Sequence, residues 1–494
     1  MAKIYQAGAL NTTSLTVPNV YVQIQQPVTL LNGVSSSRVG VVGTASWGPV
    51  NAPVVIGGMP DYQAAFGTKQ ALASDMGVNV NIAVYQGASD FRCVRVTDGT
   101  DKASTGMLSG ATLTAVCTGT SGNTISAKLT QGTINTAIWT LTVSHSLLGV
   151  NSYQGTTWVE IAAAAASDAS ALVVVSGGTA LTAGGVTLAG GADGGTPSTS
   201  AFIGSDGTTR TGLYALRNQG CAIGLLCGLS DTSSFAAQID FGLGEGLYMV
   251  SALPSGTSVS AAASALTGAG ADSYAMKVMH GDWLWWDDDT NGNMLVSPAA
   301  FAAGKLAGLS PEQSTLNKQL YGVIGSQKAG LTSSGTLASY SDAELTALFD
   351  AGIDVICYPA PGGEYWAVRG GINCSTSAAV NGDNYTRLTN YLAETFATGM
   401  GTYIGQTINA DLFVNIEATL TGFLSNMLDE GMLGSTNGAV PYSVICDTSN
   451  NPDSRTALGY VQADVKVKYM GILRYFIVNL QGGQGVTVTV ATGS

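Results

Sequence analysis

One stretch constrains the fold more than any other: RVGVVGTASWGPVNAPVVI, residues 38–56, an apolar run punctuated by Gly40, Gly43 and Gly48. Glycines after an apolar run raise the question of a phosphate-cradling turn. A dinucleotide site needs G-x-G-x-x-G closing a strand and opening a helix, so that free N–H groups meet the pyrophosphate. Here the glycines are spaced by three and then five residues, and Pro49 and Pro53 fall where that helix would run. Proline in a helix interior removes a hydrogen bond and clashes with the preceding turn. The stretch is therefore read as a buried strand, Val39 to Gly43, leaving through an irregular turn into a second strand, Val54 to Ile56.

With 494 residues the chain is long enough for two to four domains. Only 10% of its residues are charged, 45% are hydrophobic and 65 are glycine, so Ser, Thr, Asn, Gln and small residues must supply most of the surface. That balance suits a protein that covers much of its surface with copies of itself, because charge is depleted at interface cores. The net charge of -13, with no Lys/Arg cluster, argues against nucleic acid as a direct partner. Seven scattered cysteines without a C-x-x-C pair suggest free thiols rather than a disulfide framework or a zinc site. The start MAKIYQAGAL is not built like a signal peptide and no apolar run is long enough to span a bilayer, so no membrane partner and a cytoplasmic site of folding are expected.

Both ends carry period-two patterns. NVYVQIQQP sets Val20, Val22 and Ile24 against Tyr21 and Gln23 between Pro18 and Pro27, and GVTVTV sets Val486, Val488 and Val490 against threonines behind Gly482, Gly483 and Gly485. A lone strand is not stable unless it joins a sheet. Each end can pair within its own chain or add to a neighbour's sheet edge, where main-chain hydrogen bonds supply affinity. From about Asp98 to Gly195 the chain is rich in Thr, Ser and Gly with strand-like pieces, which reads as an all-β insertion. Mixed α/β signals follow. Between Tyr385 and Leu433 two helices are expected, the second presenting Phe413, Ile416, Leu420, Phe423, Leu424, Met427 and Leu428 on one face and ending at Gly431. VQADVKVKY and ILRYFIVNL read as strands leading to the terminal arm.

Chemistry-bearing motifs are few. SGTSVSAAA, residues 255–263, is similar to the serine loop of subtilisin-like proteases with Ser258 in the nucleophile place, yet only His145 and His280 exist as partners and neither has the right context or order. DDDTNGN offers Asp287, Asp289, Asn291 and Gly292 in the first positions of a calcium loop, but the twelfth position is Pro298 in place of a bidentate Glu. The reading is no catalytic residue, no cofactor and no metal, with that loop the one open question.

The opening stretch continues as PVVIGGMPDYQAAFG, and Val39 to Gly67 as a whole resembles the N-terminal region of contractile phage tail sheath proteins. The resemblance recurs in order at LAGGADGG (188–195), GLYALRNQG (212–220), WLWWDDDTNGNMLVSPAAFAAG (283–304) and LFDAGIDVICYPAPGGEYWAVRG (348–370). Where many sheaths have Trp-Gly-Ala-Arg-Thr, this chain has Trp366, Ala367, Val368, Arg369 and Gly370, and the proline-rich loop near Ser297 and Pro298 is degraded.

The resemblance implies an α/β multidomain subunit. Its parts would be an N-terminal arm (1–33), the first part of the sheath core (34–97), a β-rich outer insertion (98–195), a subtilisin-like α/β sheath domain without a triad (196–350), an α+β tube-facing domain (351–480) and a C-terminal arm (481–494). It further implies six-fold rings around an inner tube, joined by swapped arm strands at Val20, Tyr21, Val22, Gln23, Ile24, Val486, Val488 and Val490. The partners would be further copies of the chain, the tail tube protein, and baseplate and tail terminator proteins, in a virion assembled in a bacterial cytoplasm. Alternatives are a type VI secretion or bacteriocin sheath and, in other classes, a surface adhesin or a protease.

Overall fold

The computed structural model describes residues 4–5, 22–23, 31–331, 339–482 and 484. Its centre is a seven-stranded sheet of β1 (Val39–Gly43), β2 (Pro53–Ile56), β3 (Phe91–Arg95), β4 (Ile223–Leu226), β5 (Tyr248–Ala252), β6 (Met276–Met279) and β7 (Ile353–Asp354). The spatial order is β7-β6-β5-β4-β1-β3-β2, parallel throughout except for β2, which runs antiparallel on the edge. β1, β4, β5 and β6 are buried at every residue, as strands covered on both faces must be. This is why their sequences are continuous apolar runs instead of alternations.

Helices cover both faces. On one, α1 (Met76–Tyr85) and α2 (Pro298–Ala307) pack with Val39, Val41, Ile223 and Leu225. The two helices approach closely at Gly304, where a Cβ would sit 2.5 Å from the Cα of Ala83. On the other face, Phe235, Phe241, Leu266 and Leu348 cover Val42, Leu226 and Val278. The glycines of the opening stretch follow from this packing. A Cβ at Gly40 would meet Leu216 at 2.7 Å, and Gly48 has φ +97°.

Strands between Ala103 and Thr187 build one four-stranded and one three-stranded antiparallel sheet around their own core, which includes Leu113, Leu129, Leu141, Val143 and Ile161. The insertion is not all β. Thr157 caps a helix, Trp158–Ala166, whose side chains Trp158 and Ile161 close that core. Polar contacts join the insertion to the central sheet: Arg95 donates to Gly48 O at 2.9 Å and Thr118 O at 2.8 Å, and the Ser46 and Ser121 hydroxyls lie 2.8 Å apart.

The C-terminal region packs α3 (Asp383–Gly399) against α4 (Ala410–Asp429), capped by Asn409 and ended before Gly431 at φ +76°. Its core holds the expected Phe413, Ile416, Leu420, Phe423, Leu424 and Met427, joined by Leu388 and by Leu31 from the chain's start. A two-stranded sheet, β8 (Tyr442–Ile445) with β9 (Asp464–Val467), lies on these helices through Tyr442, Val444, Val465 and Val467.

Candidate assembly surfaces

In doubly wound sheets, ligands bind beyond the carboxyl ends of the strands where the strand order reverses. Here that place lies between β1 and β4, and residues 73–75 fill it. Thr44 N donates to Ser74 O at 2.9 Å and Met76 N to Thr44 O at 2.8 Å, while a Cβ on Gly228 would meet Ala73 C at 2.8 Å. The N-terminus of α1, where a phosphate would sit, is capped by Asp75, which accepts from Val78 N at 2.9 Å. Burial pushes this carboxyl up to about 8, against the pull of the backbone N–H groups around it.

The protease-like motif is used structurally. Ser258 is the N-cap of the helix Val259–Gly268 and accepts from Ala261 N. His145 ends a strand of the insertion and its Nδ1 accepts from Leu147 N and Leu148 N, both at 3.1 Å. His280 is buried beyond β6, edge-on to Tyr340. The calcium-like loop is a hairpin turn between Leu284–Asp288 and Gly292–Val296. Asp288, rather than Asp287, organises it by accepting from Thr290 N and Asn291 N. The cation these carboxylates hold is Lys69, 2.8 Å from Asp288 and also paired with Asp289. Among the described residues no group of three His, Cys, Asp or Glu is arranged to hold a metal ion.

A feature the sequence reading missed ties the C-terminal region to the sheet. Lys277, central in β6, places Nζ 2.6 Å from Asp354 of β7 and 3.0 Å from Asp383, the first residue of α3, and donates to Ile372 O at 2.9 Å. All three charged side chains are fully buried. Tyr248 donates to Asp383 at 2.7 Å and Thr315 also donates to it, while Asp354 accepts from Val355 N, Gly370 N and Ile372 N. Burial would lower the Lys277 pKa, and the two carboxylates outweigh it and hold the ammonium above its usual range. A lone lysine inside the apolar string YAMKVM was the available signal, since unpaired lysine is almost never buried.

The C-terminal sheet is the opposite of the sealed crevice. Among the described residues neither outer edge of the β8–β9 pair has a strand partner. Beside it lies a cleft of about 700 Å³ lined by Phe396, Met400, Leu412, Ile416, Val461 and Val465. Residues 468–482 then form no helix or strand, contrary to the strand expected over ILRYFIVNL. Leu473, Tyr475, Phe476, Ile477, Val478 and Leu480 all face solvent, Phe476 and Ile477 at 81% exposure.

Of the expected arm residues, Val22 and Gln23 form a short strand parallel to Ile4–Tyr5 of the same chain. Val20, Tyr21, Ile24, Val486, Val488 and Val490 lie outside the described residues.

Neither a protein-family model nor a curated protein matches the sequence. Solved structures do match the fold. A sheath tail protein from Desulfitobacterium hafniense superposes with TM-score 0.60 at 16% identity, over 86% of this chain and 93% of that one. A sheath tail protein from Listeria innocua gives 0.61 at 16% identity over 84% and 89%. The contracted sheath of an extracellular contractile injection system gives 0.56 at 12% identity over 96% and 99%. With these neighbours, the chain has the fold of the tail sheath proteins of contractile systems.

Proposed function

We propose that this chain is the structural subunit of a contractile phage tail sheath, without enzymatic activity, which polymerises in six-fold rings around an inner tube and contracts to drive that tube through a host envelope. The observation that carries the reading is the solvent-facing apolar run 473–480 beside a two-stranded sheet with open edges and an apolar cleft. Burying each such side chain is worth about 1.5–3 kcal/mol, enough for a neighbour's surface to be the place where the run belongs. Strand addition offers a means that supplies main-chain hydrogen bonds as well. The crevice filled by residues 73–75 supports a non-catalytic role.

In this reading 1–33 and 481–494 are exchanged arms, 98–195 is the outer domain, the core is subtilisin-like, and the region 351–480 faces the tube. Val20, Val22, Ile24, Val486, Val488 and Val490 carry the exchanged strands, and the run 473–480 adds the bulkier part of the C-terminal contact. Baseplate and terminator proteins cap the tube, and the subunit resides in a virion after assembly in a bacterial cytoplasm. Contraction is then rotation of subunits as rigid bodies while the exchanged strands stay paired. A second reading, the sheath of an injection machine without a capsid, is favoured by the injection-system sheath that matches 96% of this chain.

Negative-stain electron microscopy of the concentrated chain tests the proposal. Hollow, cross-striated tubes are expected from the full chain, and compact monomers from chains lacking residues 1–26 or 471–494. Normal tubes from either truncation would sink the exchange of that arm.

A further inference from the structure

With 32 acidic and 19 basic residues the chain has few cations, and most of them are engaged within it. Lys69, Lys277, Lys328 and several arginines sit beside carboxylates of the same chain, while Arg95 and Arg387 are buried and donate to carbonyls. Lys305 and Lys318 differ. Lys305 lies in the last turn of α2, and Lys318 is exposed in the turn closed by its N–H to Thr315 O. Among the described residues no carboxylate comes within ion-pair distance of either. The two are near enough to interact: burial, then the like charge of Lys318, lowers the pKa of Lys305. Two ammonium groups without a counter-ion repel, and an anion from outside relieves them.

Two exposed tyrosines complete this shelf. Lys305 Nζ stands 5.3 Å from the ring centre of Tyr321, which is 49% exposed. Gln86 pins that tyrosine by accepting from its backbone N–H at 2.9 Å and donating to its C=O at 2.8 Å. Tyr85, at the end of α1 and 57% exposed, packs edge-on against Trp286 with ring centres 5.1 Å apart, and a Cβ on Gly322 would meet the same indole at 2.1 Å. Tyrosines held in this way bury much area at little cost in entropy, and they are enriched where proteins meet.

We propose that this shelf docks a carboxylate-bearing surface of a second copy of the chain, with Asp or Glu side chains at Lys305 and Lys318 and apolar atoms on Tyr85 and Tyr321. Charge selects the occupant. Copies that each carry a net charge of -13 repel at a distance, and they associate where the unpaired cations of one meet the surplus carboxylates of another. Lysines on one surface and carboxylates on a different one make a head-to-tail contact, which repeats along a polymer. The inference rests on the self-assembly in the proposed function and adds the surface that serves it.

Unlabelled and isotope-labelled full chains, mixed and concentrated, are treated with a water-soluble carbodiimide, which joins an ammonium to a carboxylate in contact with it. Mass spectrometry should find mixed-isotope peptides linking Lys305 or Lys318 to an Asp or Glu. Lys305→Glu with Lys318→Glu should raise the concentration needed for assembly by about tenfold or more, whereas Lys102→Glu with Lys128→Glu, an equal change of charge at exposed lysines of the insertion, should leave it within about twofold. Tubes without those mixed peptides, or normal assembly of the first variant, would overturn the contact and leave the sheath reading standing. Mixed peptides from assemblies that never become tubes would support the contact and count against the sheath. Monomers alone, without mixed peptides, would overturn both. An acidic partner of another kind predicts tubes in which both lysines still react with acetic anhydride, and that result also overturns the inference. Should the reversed variant fail to fold, the cross-link in the parent chain decides.

Discussion

The central sheet and the C-terminal run are both apolar strings interrupted by one basic residue, and they have opposite fates. In β6, Met276, Val278 and Met279 are sealed and Lys277 is met by two carboxylates and a carbonyl inside the same fold. In 473–480 the large apolar side chains face water, and among the described residues Arg474 reaches only Asn381 Oδ1 at 3.3 Å. The difference teaches that apolar composition specifies burial, while the location of the partner decides whether one chain suffices. β6 has strands on both sides from its own chain, and the terminal run has none among the described residues.

Removing the sealed charge should have the largest effect on the single chain. Lys277→Met would leave Asp354 and Asp383 buried against each other without their cation, and breaking a buried pair costs about 3–5 kcal/mol. Denaturant unfolding should show that loss, and adding Asp383→Asn to the same chain should recover part of it. A loss below about 1 kcal/mol would mean that the joint between α3 and the sheet does not depend on this cluster.

Next in size is Asp75, the carboxyl in the filled crevice. Its folded pKa of about 8 lies above the ordinary value of 3.8, so the folded chain binds more protons than the unfolded one between these limits. The stability it contributes is complete below about pH 4 and is lost as pH rises through about 8. Asp75→Asn keeps an oxygen for Val78 N and removes the titration. The variant should be more stable than the parent at pH 8 by a few kcal/mol and should match it near pH 4. An unchanged pH slope in thermal unfolding would refute this account.

These sites also mark what the sequence could reveal. β1 was legible from Val39 to Gly43 because a strand buried on both faces must be apolar throughout, and α4 was legible because its apolar residues recur at three and four. The helix Trp158–Ala166 was hidden by the Thr, Ser and Gly around it, although Thr157 and Glu160 gave a capping signal. The Lys277 cluster joins residues 77 and 106 positions apart, a juxtaposition that no local pattern encodes. In the 472–480 run, β-branched and aromatic residues suggested a strand, but a strand requires a partner and the pattern names none.

A smaller effect is expected at Ser258, where the cap and the protease reading can be separated. Ser258→Ala removes the oxygen that accepts from Ala261 N and should cost about 1 kcal/mol, with assembly intact. Peptidase activity present in the parent and absent from this variant would instead revive the enzyme alternative.

The smallest change in single-chain stability belongs to the solvent-facing run, and there the comparison can be broken outright. Phe476→Ser with Ile477→Ser removes two side chains that are each 81% exposed, so the unassembled chain should unfold within about 0.5 kcal/mol of the parent. The same pair of changes in a sealed strand, such as Val250→Ser with Val278→Ser, should cost several kcal/mol through lost burial and cavities. Sedimentation of the concentrated protein supplies the second axis. If 473–480 is covered by a neighbouring copy, the tail variant should stay small under conditions in which the parent forms tubes. A tail variant as destabilised as the core variant would mean that the run is covered within its own chain, and the contrast between the two regions would fail.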